Sequence, residues 1–270
     1  MRRRASSVVL ISLCLLVSCA PFQDSPFSDQ ILHSERDLNA KAIGQLAQIE
    51  ADGRIRIAIF TDAHQNYMAL DRVIAQINQE PAVDFVVNLG DFTNSAYNME
   101  YDQFLISYLQ LQRPTVSVIG NHDAIGAGPS LFRKIFGPLN SWFESSSARF
   151  ILFNSANLES PKDFNIDWLL EAVRSSVKPV FIFTHIPLID AERFTGGVAT
   201  TMYEIINHPN TKAIFNGHNH VYGFQVIGGT IMAQAARVES NKWLMIEITG
   251  NQFELRERNG GGAESQTLKP

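Results

Sequence analysis

Short apolar runs alternate with stretches of helical spacing through the middle of this 270-residue chain. The strand-like runs are Ile55–Phe60, Asp84–Leu89, Thr115–Ile119, Arg149–Phe153, Val180–Phe183 and Lys212–Phe215. Between them, apolar residues recur every three or four positions: Leu70, Val73, Ile74 and Ile77; Phe104, Leu105, Tyr108 and Leu109; Ile166, Leu169, Leu170 and Val173. Alternation of this kind predicts an α/β domain. The pattern then changes. Phe224–Ile227, Thr230–Ala233, Trp243–Ile248 and Gln252–Arg256 read as strands joined at Gly228-Gly229 and Gly250-Asn251, which suit antiparallel hairpins. The expected fold is α/β, a four-layer α/β/β/α sandwich of two mixed sheets flanked by helices. One sheet is expected to be partly parallel and the other largely a meander.

The N-terminal part follows other rules. Arg2, Arg3 and Arg4 precede an apolar run from Val8 to Val17, the proportions of an export signal and too short for a spanning helix. Leu16-Val17-Ser18-Cys19 resembles the lipobox of bacterial lipoproteins, in which the chain is cut before the cysteine and the thiol carries lipid. On that resemblance Cys14 leaves with the signal and Cys19 is the lipid attachment, so no thiol remains for a disulfide. Ala20 after the cysteine implies the outer membrane, facing the periplasm, in a Gram-negative cell. Residues 20–30 carry prolines and polar spacers, as a tether does. Ser34 and Asp37 can cap a helix whose packing stripe is Leu38, Ala42, Ile43, Leu46 and Ile49. The division expected is 1–18 signal peptide, 19–53 lipid-anchored tether and packing helix, 54–257 main domain, and 258–270 disordered tail.

The formal charge of −5 includes the three arginines of the signal, so the mature chain is more acidic still. Affinity for long nucleic acid comes largely from neutralising phosphates, and an acidic chain without basic clusters is unsuited to it. The charge leaves small anionic substrates open, because bound cations can attract them locally.

Candidate chemistry lies where the strands stop. The run 55–60 leads into Thr61-Asp62-Ala63-His64, and 84–89 into Gly90-Asp91. The run 115–119 leads into Gly120-Asn121-His122-Asp123, 180–183 into Thr184-His185, and 212–215 into Asn216-Gly217-His218-Asn219-His220. Ligands in open α/β sheets bind at the carboxyl ends of strands. Gly-Asp alone is ordinary turn chemistry and a lone histidine is usually structural, but five of the seven histidines fall in these motifs. The joint pattern indicates a metal site. Imidazoles mixed with carboxylates suit Zn, Fe or Mn, where an all-oxygen set would suit Mg or Ca. His33, in the tether region, and His208, before Pro209, are read as surface residues.

The ordered set Asp62-x-His64, Gly90-Asp91, Gly120-Asn121-His122-Asp123, His185 and Gly217-His218-x-His220 resembles the calcineurin-like metallophosphoesterase superfamily, over roughly residues 54–224. The resemblance implies two transition-metal ions. Asp62, His64 and His220 would hold one, Asn121, His185 and His218 the other, and Asp91 would bridge them. It implies that His122 assists the leaving group and that Asp123 orients His122, the alternative for Asp123 being a simple turn or cap. Thr93-Asn94 is similar to the segment after the bridging aspartate in cyclic-nucleotide phosphodiesterase-like members. Two departures are visible: Asn94 stands where purple acid phosphatases place a tyrosine ligand, and Asn154-Ser155 where related phosphodiesterases often have Asp-Ser.

The function expected is hydrolysis of a phosphomonoester or phosphodiester in a small substrate by hydroxide shared between two metals, on the extracytoplasmic side of a bacterial membrane. Its partners are that substrate and the membrane, reached through the N-terminal lipid; the sequence names no protein partner. The rival readings are a non-catalytic metal-binding envelope lipoprotein, whose usual trace of lost ligands is missing, and a nuclease of the same superfamily, which the acidic charge disfavours.

Overall fold

The computed structural model describes residues 25–46, 49–50, 52–250, 252–260 and 262–264. The signal segment and Cys19 lie outside the described residues. In chain order the elements are α1 (Leu38–Gly44), β1 (Ile55–Phe60), α2 (Tyr67–Gln79), β2 (Phe85–Asn88), α3 (Asn98–Tyr108), β3 (Thr115–Ser117) and a 3-10 turn (His122–Ala124). Next come α4 (Gly128–Ile135), β4 (Ser141–Glu144), β5 (Arg149–Phe153), α5 (Ile166–Arg174), β6 (Val180–Thr184), α6 (Gly196–Ile206) and β7 (Thr211–Asn216). The chain ends with β8 (Gly223–Ile227), β9 (Thr230–Gln234), a second 3-10 turn (Val238–Ser240), β10 (Lys242–Thr249), β11 (Gln252–Asn259) and β12 (Gly262–Glu264).

Two six-stranded sheets form, in the orders β12-β11-β10-β1-β2-β3 and β4-β5-β6-β7-β9-β8. Side chains on successive strand residues point to opposite faces, and the core divides accordingly. Ile57 and Ile59 face the space between the sheets with Phe85, Phe150, Phe183 and Phe215, whereas Ala58 and Phe60 face α2, α3 and α4. On the second sheet Ile151, Phe153, Ile182 and Ile214 face α5 and α6. Strands buried on both faces need continuous apolar runs, and that is how these segments read. Phe85 and Phe150 meet edge to face at 5.5 Å between ring centroids, joining the two sheets.

Both sheets are mixed, and the expected meander is divided between them. The β8–β9 hairpin lies beside β7, and the β10–β11 hairpin beside β1. Strand periodicity fixes which residues face inward, not which sheet edge a hairpin joins. The sequence reading missed α4, α6 and β4. Two glycines and two threonines weaken the helical signal of α6, and α4 starts at Gly128-Pro129. The tail read as disordered from residue 258 instead continues β11 to Asn259, and Gly262–Glu264 pair with it. Ser34 and Asp37 do not form the expected cap. Asp37 adopts a left-handed backbone with φ 54° and makes no capping bond with its side chain.

What fixes α1 is Asn39. Its side-chain amide donates to the Ser117 carbonyl at 2.9 Å and accepts from the Ser117 N–H at 2.8 Å, on the outer edge of β3. A buried amide thus takes the place of a further strand and covers an edge that would otherwise be open. Asn39→Ala strands both Ser117 groups, and we expect a loss of about 2–3 kcal/mol in urea unfolding with the fold retained.

Candidate metal centre

The strand ends converge as the alternation requires, and the backbone there is strained. Asp62, His64, Asp91, His218 and His220 all have positive φ, between 41° and 75°. Each such residue costs of order 1 kcal/mol, and such strain collects at functional sites. Two glycines permit the close approach. A Cβ on Gly120 would sit 2.2 Å from Oδ1 of Asp91, and one on Gly217 would sit 2.2 Å from Oγ1 of Thr61 and 2.6 Å from Oδ2 of Asp62.

Six of the seven expected ligands form two neighbouring clusters, each with one acid. Asp62, His64 and His220 come together, as do Asp91, His185 and His218, each set with donor atoms within 4.8 Å of one another. Oδ2 of Asp91 lies between them, 3.0 Å from Nε2 of His185 and 3.6 Å from Nε2 of His64. Asn121, the seventh, is buried and its Oδ1 has no partner. His122 joins a third grouping with His64 and Asp91.

These atoms fit cations better than each other. Among the described residues, Oδ1 of Asp62, Oδ1 of Asn121 and Nε2 of His185 are buried without a hydrogen-bond partner. Nδ1 of His185 lies 2.9 Å from the Leu89 carbonyl, which can only accept, so that nitrogen keeps its hydrogen and Nε2 is the atom turned to the acids, free to coordinate once its own proton leaves. Nε2 of His64 and Nε2 of His220 face each other at 3.1 Å, with Oδ1 of Asp62 at 3.7 and 3.4 Å. Ligands about 2.0–2.1 Å from one tetrahedral ion stand at spacings close to these.

A family model described as calcineurin-like phosphoesterase matches residues 55–222, the segment that carries all these groups. The chain belongs to the calcineurin-like phosphoesterase family. No curated protein matches it in sequence. Among solved structures it resembles a dimetal phosphatase from Danio rerio, with 14% identity and a TM-score of 0.63 over 79% of this chain and 98% of the other. It also resembles a yellow lupin (Lupinus luteus) purple acid phosphatase, with 13% identity and a TM-score of 0.59 over 80% of this chain and 53% of that one. GAP50, described as the anchor in the inner membrane complex of Plasmodium, matches at 12% identity and a TM-score of 0.61, over 80% and 90% of the two chains. At such identities the likeness is one of fold.

Within this phosphoesterase, Asp123 does something other than orient His122. Its Oδ2 accepts from the N–H of Asp91 (2.7 Å) and of Gly120 (2.9 Å); its Oδ1 accepts from the N–H and the hydroxyl of Thr93, both at 2.9 Å. It ties two ligand loops together. The His122 ring is held by the Asn94 carbonyl, 2.8 Å from Nδ1, and Oδ1 of Asn94 lies 3.2 Å from Nδ1 of His64. Asn94 is held in turn by buried Glu100, whose carboxylate accepts from the N–H groups of Asn94, Ser95 and Tyr97 and from the Gln65 amide. No spacing rule in the sequence pointed to Glu100. His33 is tied to Asp102 at 3.0 Å instead of lying free, and His208 Nδ1 accepts from the Asn210 N–H in a turn.

Charge at the centre is balanced by protons where no cation is bound. Burial disfavours the Asp62 carboxylate, but His220 and His64 outweigh it and hold its pKa below the usual range. For Asp91, burial is likewise outweighed, chiefly by His185. Burial alone would lower the pKa of His185, but the Asp91 carboxylate pushes it up to about 9. Burial and then Asp91 raise Asp123 to about 7.

A cation at Nε2 of His185 must displace that proton. Apparent metal affinity should therefore climb as pH rises from 6.5 and level off above about 9, with proton release visible by calorimetry in buffers of different ionisation enthalpy. The metal-free protein should behave oppositely. Because the folded pKa is raised, stability from the protonated His185–Asp91 pair is full below about 6.5 and lost as pH rises through about 9. Asp123→Ala should lower metal content, because the loops carrying Asp91 and Asn121 lose their tie. Metal content unchanged by elemental analysis would contradict this.

Proposed function

We propose that this metallophosphoesterase is an exported lipoprotein that hydrolyses phosphomonoesters or phosphodiesters at a two-metal centre outside the cytoplasm. One observation carries the catalytic reading: Oδ2 of Asp91 stands between Nε2 of His185 and Nε2 of His64, with unpartnered ligand atoms on both sides. Asp62, His64 and His220 would hold one ion, Asn121, His185 and His218 the second, and Asp91 both; Mn, Fe and Zn all suit this donor set. Two such cations would supply positive charge to the phosphoryl oxygens and make water nucleophilic near neutral pH.

The remaining work falls to the protein. The Asn94 carbonyl fixes the hydrogen of His122 on Nδ1, so Nε2 carries a proton only in the imidazolium form. In that form it can protonate the departing oxygen. Beside the centre lies a cavity of about 500 Å³, lined by Asn216, Asn219, Phe224, Met232, Gln234 and Ile189 among others. Among the described residues that line it none is cationic and Asp190 is acidic, so it suits an uncharged organic part of an ester and leaves the phosphoryl group to the centre. Oε1 of Gln234 accepts from the side chains of Asn216 (3.2 Å) and Asn219 (2.8 Å), steadying the loop that carries His218 and His220.

The non-catalytic reading has support in the resemblance to GAP50, described as an anchor. The complete donor set stands against it. Nothing favours a nuclease, since the charge is acidic overall.

Turnover of p-nitrophenyl phosphate or its bis ester by Mn²⁺-loaded protein tests the proposal, and no turnover of either would reject it. Asp91→Asn should lose metal and activity together, whereas His122→Ala should keep its metals and lose roughly 10²–10⁴-fold in kcat. Metal loss in the second variant would assign His122 to the ligands instead.

A further inference from the structure

The first described residues are fastened beside the metal centre. The carbonyls of Ser25 and Pro26 accept from the side chain (3.2 Å) and N–H (3.1 Å) of Asn98, the first residue of α3, and the Phe27 ring meets Tyr97 edge to face at 5.2 Å. Further along, the N–H groups of Leu32 and His33 bond the Asp102 carboxylate, and Asp29 pairs with Lys134 on α4 at 2.6 Å. In a parallel β-α-β unit the helix starts at the carboxyl edge of the preceding strand, so the start of α3 is at the end of the domain where the ligands lie. Asn94, between β2 and α3, holds both His122 and His64.

Five residues, 20–24, separate Cys19 from Ser25, six chain steps with a fully stretched reach of roughly 20 Å. A domain of this size is about 45 Å across. A lipid on Cys19 therefore holds the face around Ser25 to the membrane, since the opposite face is out of reach. That face carries exposed apolar side chains near the centre. Phe27 is 71% exposed and Met99, in the first turn of α3, 63%. Met68, in the first turn of α2, is 75% exposed, Ile125 beyond His122 43%, and Val221 beside His220 60%. Similar side chains occur elsewhere, Val177 and Trp142 among them, so exposure by itself says little. The point of tether entry gives these an occupant.

We propose that the metal centre opens toward the leaflet that holds the anchor, and that its substrate is a phosphoester borne on a lipid of that leaflet. This rests on the lipoprotein reading above. Hydrolysis balances with water alone: its oxygen bonds phosphorus, the ester P–O bond breaks, and the departing oxygen takes a proton.

The test uses the full acylated chain with Mn²⁺ in phosphatidylcholine vesicles, given phosphatidate or phosphatidylglycerol in the same vesicles, against glycerol phosphate and glycerophosphoglycerol in solution. The vesicle-borne esters should be turned over at least about tenfold faster at equal bulk concentration, because the short tether holds the centre against the surface that bears them. Inserting about 30 Gly/Ser residues between Asp24 and Ser25 should erase most of that preference, since a long flexible linker frees the orientation. The rate on soluble esters should not change. Phe27→Glu with Met99→Glu should act like the insertion. Soluble esters hydrolysed as fast as vesicle-borne ones, or an insertion without effect, would overturn the proposal. Labelled palmitate separates the causes: label on Cys19 with no vesicle preference rejects only this inference, whereas absence of label rejects the lipoprotein reading too. No hydrolysis of any ester rejects the enzyme reading.

Discussion

Two carboxylates, Asp62 and Asp91, lie 1% exposed where the strand ends of both sheets meet. An uncompensated buried charge is costly enough that a protein neutralises it by proton, partner or metal. Among the described residues, the partners around these two acids are His64, His185, His218 and His220, not arginine or lysine. An imidazole can carry a proton or give up its place to a cation, whereas a guanidinium would hold the site permanently closed. The rest of the centre follows from that choice.

The strain at the strand ends is then intelligible. Five ligand residues hold left-handed backbone, and they are Asp and His, types that tolerate it better than β-branched residues. Asp123 holds the loops of Asp91 and Gly120 at a fixed separation through four accepted hydrogen bonds. A buried carboxylate spent on backbone N–H groups contributes geometry. Glu100 does the same for the Asn94 loop, so the first turn of α3 and the rings of His64 and His122 belong to one connected unit. The segment from Ser25 is bonded to that same turn through Asn98. The start of the described chain and the centre are therefore mechanically close.

Much of this was legible along the chain because local periodicity carries it. Strands buried on both faces have continuous apolar runs, and those runs marked β1, β2, β5, β6 and β7 to within about a residue at each end. Polar residues placed immediately after such runs must land at one end of a parallel sheet, so the chain alone brings Asp62, Asp91, Asn121, His185 and the 218–220 pair to one edge. Short or glycine-rich elements gave no such signal, and α4, α6 and β4 went unseen.

What the sequence determined by itself was the strand set, the ligand types and their arrival at a common edge, since each depends on neighbours a few residues away. Tertiary structure alone decided the pairing of hairpins with sheets, the bond from Asn39 to β3 across 78 residues, and the partner of His122. It also decided that Asp123 grips backbone instead of a ring. Those contacts depend on distance in space between segments that periodicity does not relate, and a buried carboxylate finds whichever donors the packed backbone brings within about 3 Å.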